Sequence, residues 1–287
     1  MHLQCHSHHG AYHTMHQTSA HALLPQPRVL SPGEGVSTWK LPLCIRGPAD
    51  ALVASNAHPD IVDEAALWFR DLGVAACKAD AMPEAGSQGG THGVVTMELL
   101  DDETFKQLPV VQQALTSAPH PPQGALLQQA YSADIDAHGC ATVHATTRRG
   151  LFYGVQTLVQ WLVVHNRDFV QTIRAFGGGD DGDGALHADV SARESKHGAT
   201  DEAVSLACPS AVVVDWPDIL HRGVMLDVSR DRVWTMATLR ATVRRLAHMK
   251  VNQLQLYMEH TFQYHDHREV WHGSGAYSGS VLCVSLL

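Results

Sequence analysis

The chain has 287 residues, 45% of them hydrophobic and 17% charged, with a formal net charge of −9. That length suits one large or two ordinary domains, and the acidic balance argues against nucleic acid or an anionic membrane surface as a partner. No apolar run reaches the about 18 residues of a membrane span, and residues 1–24 lack the charged-then-apolar layout of a signal peptide. Six cysteines (Cys5, Cys44, Cys77, Cys140, Cys208 and Cys283) are scattered without a C-x-x-C pair. They read as buried free thiols rather than a disulfide framework.

In chain order, residues 1–40 are rich in His, Gln, Pro and Ser without a sustained apolar period, and are expected to be disordered. His8, His9, His13 and His16 invite a metal, but a defined site needs fixed geometry and supporting bonds that a loose tract lacks. No metal site is expected there.

Residues 41–165 are expected to form a small α/β domain. "HPDIVDEAALWFRDLG" puts Ile61, Ala65, Trp68 and Leu72 on one helical face, with Pro59 suited to the first turn and Gly73 to the stop. "VVTMEL" (94–99) alternates as a strand does. "AYSADIDAHGCATVHAT" reads as a hairpin with Tyr131, Ala133 and Ile135 on one face, a turn near His138-Gly139, and Val143 and Ala145 on the return. "GLFYGVQTLVQWLVVH" is then a helix with Leu151, Val155, Leu158 and Leu162 in register, widened by Phe152 and Val159. Such a set makes a sheet with helices packed on it.

Residues 166–210 lose the pattern and read as a Gly- and Asp-rich linker. A calcium loop counted from Asp181 fails, because Leu186 stands where the turn needs Gly. Next, residues 223–229 form a strand with Val224, Leu226 and Val228 on one side and Met225, Asp227 and Ser229 on the other. Thr235 suits the cap of a helix carrying Met236, Leu239, Val243 and Leu246, which ends at Lys250. "VNQLQLYME" gives a second strand, with Leu254, Leu256 and Met258 opposite Gln253, Gln255, Tyr257 and Glu259. Strand, helix and strand with short connections predict parallel pairing. In a (β/α)₈ barrel the site lies at the strands' C-terminal ends, where Arg230 and the Glu259-His260 pair fall. Arg222 precedes the strand at the opposite end and reads as structural.

"DWPDILHRGVMLDVSRDRV" followed by "LAHMKVNQLQLYMEHTFQY" resembles the start of the catalytic barrel of glycoside hydrolase family 20, the β-N-acetylhexosaminidases. "ATTRRGLFYGVQTLVQWL" is similar to the end of the small α/β domain, of zincin-like topology, that precedes that barrel. Two motifs in the right order make the resemblance specific. It implies the α/β domain at 41–165, the first βαβ of a truncated (β/α)₈ barrel at 211–279 and an unrelated tail at 280–287. It also implies that Arg230 holds hydroxyls of a terminal N-acetylhexosamine, a task suited to a planar fork of donors. The bland alternative is an ion pair with Asp227. An acidic residue ending the second strand supports the sugar in this family. Here Glu259 lies one place early and His260 occupies the expected position, so either can serve, and Asp231 stands where many members have His.

The family's chemistry is substrate-assisted: the acetamido carbonyl attacks its own anomeric carbon. An Asp-Glu pair on the fourth strand steadies the oxazolinium and protonates the leaving oxygen. That pair is expected beyond Tyr264, and residues 265–287 contain no adjacent Asp-Glu. The chain as given is therefore expected to be a front portion without turnover of its own. With no H-E-x-x-H, it is expected to carry no catalytic zinc and no other cofactor. "YHDHREVWH" (264–272) reads as a solvated loop rather than a metal site. The partners implied are N-acetylhexosamine-containing glycans. The other readings are a non-catalytic protein binding glycans or a partner through the small domain, and metal binding through the His-rich arm.

Overall fold

A computed structural model describes residues 27–47, 61–71, 76–78, 92–166, 205–230, 232–280 and 282. They divide into two compact units, one running to Asp218 and one beginning at Ile219.

The first unit is built on a mixed six-stranded sheet. Its strands are β1 (Val29–Arg46), β2 (Ala76–Lys78), β3 (His92–Leu99), β4 (Tyr131–Ile135), β5 (Cys140–Ala145) and β6 (Ser205–Asp215), in the order β2-β1-β3-β5-β4-β6. β1 runs parallel to β2 and β3, and β3 parallel to β5, while β4 is antiparallel to both β5 and β6. β6 also returns to pair antiparallel with the first part of β1, from Val29↔Val214 to Lys40↔Ser205. That return satisfies backbone groups which an open edge would leave unpaired.

The 131–145 hairpin forms as its alternation predicts, with Tyr131, Ala133, Ile135, Val143 and Ala145 buried. Gly139 turns the chain at φ 99°, a conformation that side chains other than glycine disfavour. Helix α1 (Ile61–Asp71) buries Ile61, Ala65 and Phe69. The Pro59, Leu72 and Gly73 positions lie outside the described residues. Two short helices, α2 (Asp102–Gln107) and α3 (Pro109–Ser117), join Trp216 and Val214 in a second apolar cluster.

Helix α4 (Arg148–His165) holds the unit together. Leu151, Val155, Leu158 and Leu162 are buried as the spacing predicts, but so are Tyr153, Gln156, Thr157 and Trp161. The stripe is wider than expected because the helix meets β6 as well as the hairpin and packs beside α1, where the Trp68 and Phe152 rings meet edge-on, centroids 4.5 Å apart. Several of the polar groups that this burial encloses are bonded. Tyr131 OH meets Thr157 Oγ1 at 2.5 Å and donates to Asp215 Oδ2 at 3.0 Å, and the Trp161 indole donates to the Pro209 carbonyl at 3.0 Å. At the helix end, Asn166 donates to the Ala207 carbonyl at 2.9 Å and accepts from its amide at 2.8 Å.

Three expectations need correcting. The segment expected to be disordered does not extend to residue 40, because 29–40 are strand, with Trp39 fully buried. The expected linker ends before residue 205, and 205–215 close the first sheet instead of opening a barrel. Both stretches are held by backbone ladders, which a polar, Pro- and Gly-containing sequence can join without an apolar period. Cys140 is exposed, whereas Cys44 and Cys208 are buried as expected. His8, His9, His13, His16, most of the linker and most of the 280–287 tail lie outside the described residues.

The second unit contains β7 (Gly223–Asp227), α5 (Met236–His248), β8 (Gln253–Tyr257) and a short turn of helix, α6 (Arg268–Trp271). β7 and β8 are parallel, in register from Gly223↔Gln253 to Asp227↔Tyr257. Val228, Leu239 and Tyr277 form its core with Met236, Leu256 and Met258 packed on them. Thr235 caps α5, accepting from the Thr238 amide at 3.2 Å.

Helix α4 approaches the hairpin closely at Gly150, where a Cβ would lie 2.5 Å from the Ala130 carbonyl oxygen and 2.7 Å from Ala145 Cβ. Gly150→Ala would gain about 0.5–1 kcal/mol of helix preference but incur an overpacking cost of about 1–3 kcal/mol. A lower urea midpoint at unchanged m-value is the expected outcome; an unchanged or raised midpoint would contradict this packing.

Candidate functional site

The parity of β7 and β8 decides which side chains can meet at their ends. Val224, Leu226 and Val228 alternate with the exposed Met225, and Leu254, Leu256 and Met258 alternate with the exposed Gln253, Gln255 and Tyr257. The parallel ladder goes one step further, with the Val228 amide donating to the Tyr257 carbonyl at 3.1 Å. Both C-terminal ends therefore stand side by side.

At that rim Arg230 lies between two carboxylates. One terminal nitrogen donates to Asp227 Oδ2, and the other reaches Glu259 Oε1 at 3.4 Å. Asp227 is fixed in turn by the Ser229 hydroxyl at 2.7 Å and the Ser229 amide at 2.9 Å, both on Oδ1. Tyr257 OH donates to the same Glu259 oxygen at 2.9 Å, and the Arg230 guanidinium carbon sits 5.2 Å from the Tyr257 ring centroid. Arg230 is nonetheless 65% exposed. The bonds to Asp227 and Glu259 use one N–H on each terminal nitrogen, and Tyr257 also reaches the fork. A guanidinium carries five N–H donors, so it can still donate to a ligand.

The charges hold each other's protonation states. The Ser229 hydroxyl, then its amide and then Arg230 keep the Asp227 carboxyl below the ordinary carboxylate value. Asp227 first, with Glu259 adding to it, holds Arg230 still more firmly as a cation. What results is an exposed set of donors beside carboxylate acceptors, an arrangement that can grip neighbouring hydroxyls.

Of the residues singled out from sequence, Arg230 and Glu259 come together and His260 does not join them. His260 is exposed, and its backbone carbonyl accepts from the Ser274 hydroxyl at 2.7 Å. The ion pair with Asp227 is present too, so the bland reading of Arg230 describes a real contact, but one that leaves donors exposed. Arg222 is structural: Nε donates to the Lys250 carbonyl at 2.9 Å and Nη1 to the Ile219 carbonyl at 2.7 Å. His265 pairs with Asp266 and His267 with Glu269 on the exposed 264–272 stretch. Among the described residues no group of three or more His, Cys, Asp or Glu side chains is placed to hold a metal ion. Sequence reasoning missed Tyr257, taken only as one member of the polar face. Its position two residues before Glu259, on the same side of the strand, was the available signal.

Over residues 20–176 the sequence matches the family description "Glycosyl hydrolase family 20, domain 2". The chain belongs to glycosyl hydrolase family 20. No curated protein matches it. Among solved structures it is similar to a Flavobacterium johnsoniae chitobiase, at 15% identity and TM-score 0.53 over 92% of this chain and 32% of that one. A Streptomyces coelicolor A3(2) β-N-acetylhexosaminidase of family 20 is 18% identical over 84% of this chain and 35% of its own, at TM-score 0.48. A Vibrio harveyi exo-β-N-acetylglucosaminidase of the family is 13% identical over 83% and 25%, at TM-score 0.46. At such identity the first likeness speaks to fold alone. The chain spans a quarter to about a third of the length of these solved structures.

The clamp on Asp227 yields a pH prediction. A folded-state carboxyl held below its unfolded value, about 3.9 for Asp, adds stability that is present above that value. The contribution is lost as pH falls through the folded value. Ser229→Ala removes the largest cause of the shift, so the Asp227 carboxyl should titrate at higher pH than in the wild type when followed by ¹³C NMR. An unchanged or lower titration would contradict the clamp.

Proposed function

We propose that this chain carries the front of a β-N-acetylhexosaminidase-type glycoside hydrolase. In this reading the first unit is the family's domain 2, with its zincin-like topology, and β7–α5–β8 are the first βαβ of a (β/α)₈ catalytic barrel. Arg230 and Glu259 grip the terminal N-acetylhexosamine of a glycan. One observation carries the reading: an exposed guanidinium at the C-terminal end of a parallel strand, braced by two carboxylates and still offering donors. Family membership gives that geometry its substrate class, and the wall of such barrels where ligands bind is the end at which Arg230 stands.

The chemistry divides accordingly. Arg230 donates to a ring hydroxyl, while Glu259, with one oxygen taken by Tyr257 and Arg230, offers the other as an acceptor. Glu259 is favoured over His260 because it already shares Arg230. Binding here orients the sugar so that its acetamido oxygen can reach the anomeric carbon, the proximity that substrate assistance needs. Arg230 and Glu259 act on binding and take no part in protonating the leaving oxygen, so binding is the readout that isolates their role.

Titration of the chain with N-acetylglucosamine should shift the amide signals of residues 229–230 and 257–260. Arg230→Lys keeps the charge but loses the planar fork, and loss of a charged hydrogen bond costs about 1.5–3 kcal/mol. A dissociation constant raised about tenfold or more is expected, with the remaining backbone spectrum unchanged. Equal affinity in the two proteins would make Arg230 structural and remove the sugar site.

A further inference from the structure

We propose that Tyr257 is a positioning residue: it sets the distance and angle between the Arg230 donors and the Glu259 acceptor before any ligand arrives. The inference rests on the reading of Arg230 and Glu259 as a sugar grip and adds to it the side chain that fixes their spacing.

Three contacts carry it. Tyr257 OH donates to Glu259 Oε1 at 2.9 Å, the same oxygen that Arg230 Nη2 reaches at 3.4 Å. The Arg230 guanidinium lies over the Tyr257 ring, 5.2 Å from its centroid. One rigid side chain with two rotatable angles therefore touches both charged groups, by its hydroxyl on the acid and by its face on the base. Neither charged group is held by burial, since Arg230 is 65% and Glu259 48% exposed. Long side chains at that exposure keep much of their rotamer freedom, and an exposed ion pair alone restrains them little. The 3.4 Å Arg230–Glu259 contact is the loosest bond of the set, so the phenol is the better restraint on the acid.

The backbone explains why Tyr257 can serve. It pairs with Asp227 across the parallel ladder, and Asp227 holds the other terminal nitrogen of Arg230. Register thus places the ring beneath the guanidinium and two residues before the acid on one strand face. Asp227 fixes one arm of the fork; Tyr257 supports its plane and fixes the carboxylate facing the second arm. A merely structural aromatic would be packed in the core of its unit, but Tyr257 is 39% exposed and the core there is Val228, Leu239 and Tyr277.

The test uses the full chain, with Tyr257→Phe, which keeps the ring, and Tyr257→Leu, which removes ring and hydroxyl. Two readouts are followed: rotation of the Arg230 guanidinium about its Nε–Cζ bond by ¹⁵N NMR, and N-acetylglucosamine affinity. Faster guanidinium rotation is expected in Tyr257→Leu, with a smaller increase in Tyr257→Phe. The dissociation constant should rise about threefold to tenfold, while the melting temperature and distant amide signals stay as in the wild type. Faster rotation in variants of a wild type that binds no N-acetylglucosamine would keep the positioning role and overturn the sugar grip. Unchanged rotation in both variants would overturn the positioning role, whatever the sugar does. A melting temperature lowered in both variants, with guanidinium rotation unchanged, would make Tyr257 structural.

Discussion

The candidate site depends on the parallel register of two five-residue strands, with Asp227 opposite Tyr257. Parallel strands end on the same side, so the residues just past β7 and β8 share one rim. The helix between them fixes which side chains turn inward, because Val228 and Leu239 are buried together and carry Leu256 and Met258 with them. A slip of one residue would exchange the faces of a strand, turning Tyr257 and Glu259 toward the helix and taking both from Arg230. The opposite ends are clasped as well: the Arg222 carbonyl accepts from the Asn252 and Gln253 amides, and its side chain from beneath bonds the Lys250 carbonyl. Arg222 and Arg230 thus occupy opposite ends of the same short strand, the first bonded to backbone carbonyls and the second exposed between carboxylates.

The ion pairs at the rim contribute little to folding. Exposed pairs of this type are worth about 0–1 kcal/mol, whereas the apolar contacts beneath them hold the strands. What the Asp227–Arg230–Glu259 series supplies, together with the Tyr257 ring and hydroxyl, is order in a side chain that would otherwise sample many rotamers. A ligand that meets a fork already fixed loses less of its binding free energy to ordering. The first unit has the opposite balance. There the polar groups of Tyr131, Thr157 and Asp215 are buried and bonded to one another, and they join β4, α4 and β6 under an apolar core.

Much of this was legible from residues. Helix α4, the 131–145 hairpin and the β7–α5–β8 unit carry strong periods, and each forms where its period runs. Arg230 was legible because a strand ends just before it. The first twelve residues of β1 were not, since Ser31, Pro32, Gly33, Glu34 and Gly35 show no alternation and their order comes from β6, far along the chain. The start of β6 was hidden for the same reason. Helix α2 could have been found: Asp101 accepts from the Glu103 and Thr104 amides at 3.0 and 2.9 Å, and the Asp-Asp-Glu-Thr run is an ordinary start signal. Tyr257 was hidden by its alternation with leucines, which marks a strand face but not what lies over the ring.

The most direct measurement is a nuclear Overhauser spectrum of the folded chain, assigned at Tyr257, Arg230 and the amides of 228 and 258. A parallel register with the guanidinium over the ring predicts cross-peaks from the Tyr257 ring protons to the Arg230 side-chain methylenes, and from the Val228 amide to the α-proton of Met258. Tyr257 ring contacts to Leu239 and Val228, with none to Arg230, would place the ring on the helix side and contradict the arrangement of the site.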